Sequence, residues 1–97
     1  MSAIIKELEV KGKRTAGPEA AINALAELGP KARSAVPALL RSLADDAPSI
    51  RMGAAEALAA IGDRAVIPAL EGLLEDKDDL VRDAARASLE KLGVAQQ

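Results

Sequence analysis

The chain has 97 residues, enough for one core but not two, and a net charge of −2 spread along its length, which offers no global attraction to nucleic acid or anionic lipid. It contains no Cys, His, Phe, Tyr or Trp. That excludes disulfide frameworks, thiolate or imidazole metal sites, Ser–His and Cys–His nucleophile pairs and aromatic stacking on bases. The 49% hydrophobic content is Ala, Leu, Ile and Val in the main, which favours closely packed helices over strands.

In chain order, the apolar spacing predicts six helices in a single domain over 1–97, near residues 2–10, 18–28, 34–45, 48–61, 65–76 and 79–92. The first carries Lys6 and Glu7 where a signal peptide would hold its apolar run, and no stretch approaches ~20 apolar residues, so a cytoplasmic protein with no membrane partner is expected. Met1 directly before a helix reads as a natural start. Lys11 to Pro18, with two Gly and a Pro, is the one long connection. In the second helix Ala21, Ala24, Leu25 and Leu28 form the apolar stripe, closed by Gly29. The third shows Val36, Leu39, Leu40 and Leu43; the fourth shows Ile50, Ala54, Ala57, Leu58 and Ile61, one face of a 3.6-residue period. Gly29, Gly62 and Gly93 each follow the last apolar residue of a helix, where a left-handed cap is wanted, and Pro37 and Pro68 sit in first turns, where a missing N–H costs least.

A repeat underlies this order. Pro68-Ala69-Leu70 placed on Pro37-Ala38-Leu39 brings Leu74 onto Leu43, Asp76 onto Asp45, Val81 onto Ile50, Arg82 onto Arg51, Leu89 onto Leu58 and Gly93 onto Gly62, all at a spacing of 31 residues. With variable turn lengths a third copy appears: Ala21, Ala24, Leu25, Leu28 and Gly29 match Ala54, Ala57, Leu58, Ile61 and Gly62, and Ala3 to Leu8 match Ala38 to Leu43. A period of this size means stacked supersecondary units.

Val81-Arg82-Asp83-Ala84-Ala85, its looser copy Ile50-Arg51-Met52-Gly53-Ala54, the Leu-x-x-Ile/Leu-Gly endings and the Ala-Val-Pro-Ala-Leu-Leu type of second helix resemble HEAT repeats, in the short form also found in phycobilisome-lyase-type proteins. The resemblance runs from about Ala3 to Gly93. It implies an all-α fold, a right-handed α-α superhelix (α-solenoid) of about three helical hairpins. It also implies a structural ladder in which an Asp ending one helix pairs with an Arg opening the next, here Asp45 with Arg51 and Asp76 with Arg82. At the first junction Val10 and Pro18 take those places, so that staple is missing. The lyase and metal-hydroxylase activities found on such repeats do not carry over, since only scaffold positions match and the metal-binding His-Glu pairs are absent.

Little else suggests chemistry. Glu75, Asp76, Asp78 and Asp79 lack the Gly and distal Glu of a calcium loop and read as ladder and cap residues. Gly12-Lys13-Arg14-Thr15 lacks the first Gly and the preceding strand of a phosphate loop, and the Lys11, Lys13 and Arg14 cluster would support only weak, salt-sensitive nucleic-acid binding. No enzyme and no cofactor is expected. Inner helices of such solenoids line a concave face, where alignment puts Lys6, Arg41 and Gly72 in one row, Glu7, Ser42 and Leu73 in a second, and Glu9, Ala44 and Glu75 in a third. Lys6, Glu7, Arg41, Ser42 and Glu75 are the candidate protein-binding residues, on a surface suited to a charged peptide or protein edge. The alternative is a self-assembling or accessory subunit associating through its helix ends, near Ile4 or Leu92.

Overall fold

The computed structural model describes residues 18–94. Five α-helices follow in order: α1 (Pro18–Leu28), α2 (Val36–Ser42), α3 (Pro48–Ile61), α4 (Ile67–Gly72) and α5 (Asp79–Lys91), with 3₁₀ segments at Gly29–Ala35, Arg64–Val66 and Leu73–Glu75. No strand occurs among the described residues. The helix expected at 2–10 lies outside them. Among the described residues the segments form four uninterrupted helical stretches where the six expected helices place five, which corrects that count. The helices expected at 18–28 and 34–45 run together, because Gly29 (φ +58) and a kink at Ala32 (φ −94, ψ 19) turn the chain within a 3₁₀ segment rather than in an open loop.

Proline and aspartate set the starts. Pro37, Pro48 and Pro68 occupy first-turn positions, where their fixed φ suits the helix and no N–H is wasted. The Asp78 carboxylate accepts from the Leu80 and Val81 amides at 2.8 and 3.2 Å, capping α5, and Asp63 accepts from Ala65 at 2.9 Å. Gly62 ends α3 at φ +83, its N–H donating to the Leu58 carbonyl at 3.1 Å, a left-handed cap that a side chain would strain.

Helix α3 is the centre. It packs against α1 on one side and α5 on the other, with α2 packed on α3, and α4 and the following 3₁₀ turn packed on α5. Its buried residues include Ile50, Ala54, Ala55, Ala57, Leu58, Ala59 and Ile61. They meet Leu39, Leu43, Val66, Leu70, Leu73, Val81, Ala85 and Leu89 in one aliphatic cluster. Small residues permit this closeness: a Cβ on Gly53 would stand 3.1 Å from Ile22 Cγ2, so the glycine sets how near α1 approaches α3. No buried side-chain N or O among the described residues lacks a hydrogen-bond partner.

Two ends of the row differ. Ala55 (0% exposed) and Ala59 (5%) are packed inside the molecule, whereas Arg86 and Glu90, one repeat later, are exposed on α5. On α1 the stripe position Leu28 is 52% exposed, while its repeat counterpart Ile61 on α3 is 1%.

Candidate interaction surface

Among the described residues the Arg51 guanidinium forms the most side-chain hydrogen bonds. Its Nε donates to Asp76 Oδ2 at 2.9 Å and one terminal nitrogen to Asp76 Oδ1 at 3.0 Å, a bidentate pair, with side chains only 8% and 10% exposed. The other terminal nitrogen donates to the carbonyls of Asp45 (2.7 Å) and Asp46 (3.0 Å). One side chain therefore ties the end of α2, the start of α3 and the turn after α4. Asp76 Oδ1 also accepts the Asp78 N–H at 2.9 Å. The hydrogen bond from Arg51, and secondarily that amide, hold the Asp76 carboxyl below the usual carboxylate range against the opposing effect of burial. The hydrogen bond to Asp76 likewise makes Arg51 hold its proton more firmly.

All four ladder residues lie at this seam, but their pairing differs from that expected. Arg51 does not meet the Asp45 carboxylate, and Arg82 does not meet that of Asp76; each arginine donates instead to the backbone carbonyl of the aspartate six residues before it. The Asp45 carboxylate closes its own turn by accepting the Ala47 N–H at 2.8 Å. The carboxylate that Arg51 binds comes from 25 residues further on. Arg82 fills its remaining valence with exposed Asp79. By the same offset the arginine that would reach Asp45 falls at Ala20, which cannot supply one.

Of the candidate binding residues, Lys6 and Glu7 lie outside the described residues, as does the Lys11 to Arg14 cluster. Arg41, in the last turn of α2, and Glu75, in the 3₁₀ turn after α4, are both exposed, and neither forms a side-chain hydrogen bond or ion pair among the described residues. Ser42 is half-buried and its hydroxyl donates to the Ala38 carbonyl at 3.2 Å. Leu73, expected in the same row as Ser42, is buried in the core instead. The tighter 3₁₀ winding at Leu73–Glu75 changes the angle between successive side chains relative to the α-helical register assumed from the repeat. Among the described residues no group of acidic side chains is arranged to hold a metal ion; in the acidic run, Asp76 and Asp78 close turns and Asp79 pairs with Arg82.

Sequence reasoning missed a groove between α1 and α3, lined by Glu19, Ile22, Asn23, Ser49, Met52, Gly53 and Glu56, with a volume of about 170 Å³. Its one legible signal was Gly53, a glycine inside a helix where the next repeat has Ala84.

A row of helices with a second set packed on it, joined by short capped turns and tied by an arginine that reaches across them, defines a helical-repeat protein. The profile of HEAT repeats matches residues 3–90, and the chain belongs to the HEAT-repeat family. Comparison with curated proteins finds no match.

Proposed function

We propose that this chain is a non-catalytic protein-interaction scaffold, a cytoplasmic α-solenoid of three hairpins that holds a protein or peptide on a concave surface including Lys6, Glu7, Arg41, Ser42 and Glu75. The observation that carries this reading is the state of Arg41 and Glu75. Both are exposed and uncommitted among the described residues, yet both stand on segments fixed by the Arg51–Asp76 seam. A rigid frame spares a partner the cost of ordering the backbone that carries these groups. HEAT repeats commonly serve as such scaffolds, and the sequence has no His or Cys, so the Ser–His and Cys–His pairs of nucleophilic catalysis are missing from it. The likeness to the phycobilisome-lyase type of repeat bears on the frame and adds no activity to this reading.

The test is capture of partners from an extract with the native protein and with an Arg41→Glu/Glu75→Lys variant, alongside light scattering of each. A protein retained by the native chain and lost by the variant, with both at the same mass, is the expected result. Retention of the same protein by both would place the binding surface elsewhere. Self-association through the α1 end is the second reading, favoured by the exposure of Leu28. It predicts that Leu28→Lys lowers the mass of the native chain at high concentration; a native chain that is already monomeric there removes it.

A further inference from the structure

The groove between α1 and α3 has a composition that selects one kind of ligand. Its floor is aliphatic: Ile22, buried against α3, and Met52, half-buried on α3, flank Gly53, which presents no side chain. Among the described residues its rim is polar and carries negative charge only, from Glu19 on the first turn of α1 and Glu56 on α3, with Asn23 and Ser49 between them. Glu19 is positioned, since its Oε2 accepts the Ser49 hydroxyl at 2.9 Å across the two helices. That bond leaves the second oxygen of Glu19 and both of Glu56 without partners among the described residues. Among the described residues no basic side chain lines the groove.

An apolar floor with anionic walls excludes two classes of ligand. A carboxylate or phosphate would be repelled by both glutamates, and a purely apolar side chain would leave both charges unanswered while gaining only a shallow contact. A lysine or arginine side chain satisfies both halves at once, its methylene stem lying on Ile22 and Met52 and its cationic head reaching the rim carboxylates. Met52 adds adaptability, being unbranched and polarizable, so the floor conforms to stems of different shape. We propose that the α1–α3 groove is a docking slot for a lysine or arginine side chain of a partner peptide. The slot shares no residue with the Arg41–Glu75 surface, so it stands or falls independently of the scaffold reading above.

The slot is tested by nuclear magnetic resonance on the whole chain, titrated with the acetylated, amidated peptide Ala-Ala-Lys-Ala-Ala and with its counterpart bearing norleucine, which has the stem without the charge. The lysine peptide is expected to move the Met52 and Ile22 methyl signals, with an affinity at least about tenfold above that of the norleucine peptide and falling as salt is raised. Glu19→Gln and Glu56→Gln, both exposed and therefore compatible with folding, should each weaken it several-fold. Methyl signals that stay in place, equal response to norleucine, or unchanged affinity in both glutamine variants would each overturn the proposal.

Discussion

Asp76 does two jobs and Asp45, its counterpart one repeat earlier, does one. Both close a turn by accepting an amide two residues on, at 2.9 and 2.8 Å, but only Asp76 also neutralises a guanidinium that is almost out of solvent. Asp76→Asn is therefore expected to lower the denaturant midpoint clearly more than Asp45→Asn, with unchanged m-values; equal effects would mean the Arg51 pair contributes nothing net. The same pair sets a pH dependence. Because the folded-state carboxyl of Asp76 is held below its unfolded value of about 4, its contribution is fully present above that value and is lost as pH falls through the folded one. A native chain should therefore lose stability between about pH 5 and pH 2 more steeply than Asp76→Asn, as read from urea midpoints across that range. The residues of this seam were legible in the sequence through their spacing. Their partners were not, because spacing places an arginine and an aspartate near one seam without saying which of two carboxylates turns inward. Both aspartates close an equivalent turn, at Ala47 and at Asp78, so the local sequence does not separate them; the packing of successive units brings Asp76 onto Arg51.

At the scale of elements, helix starts and stops followed from Pro, Asp and Gly, and the bounds of α1, α3 and α5 fall within two residues of those expected. Asp78 illustrates why. Its carboxylate takes two amides of the first turn of α5, so Asp78→Ala should cost about 1 kcal/mol in global stability, while Asp78→Ser should restore much of it. A cost well under half that would show α5 to be held by packing alone. What the sequence concealed was the shortness of α2 and α4. Their residues read as continuous α-helical stripes, yet Leu73–Glu75 winds as 3₁₀, and a stripe of apolar residues cannot distinguish windings of 3.0 and 3.6 residues over a single turn. Leu73 accordingly lies in the core and not in the row expected beside Ser42. The α1–α3 groove was hidden for a related reason, since it is made by two helices whose lateral spacing depends on one missing Cβ at Gly53.

For the whole molecule, the core is concentrated on α3, and stability should follow that distribution rather than residue type. Leu58 is fully buried at the middle of the row, and Leu28 is half exposed at its edge. Leu58→Ala is expected to cost roughly 2–5 kcal/mol, and Leu28→Ala under about 1 kcal/mol, by denaturant unfolding. Similar values for the two would contradict the central place given to α3. Any architecture that repeats by translation carries a hazard, because a contact that joins unit to unit can also join copy to copy, and a head-to-tail contact of that kind does not close on itself. Here the packed alanines at 55 and 59 give way to Arg86 and Glu90 on the outward side of α5, and Arg86 is held by Asp83 at 2.9 Å. A neighbouring copy seated on α5 in the register of α3 would have to strip water from both charges, which disfavours head-to-tail growth through that face.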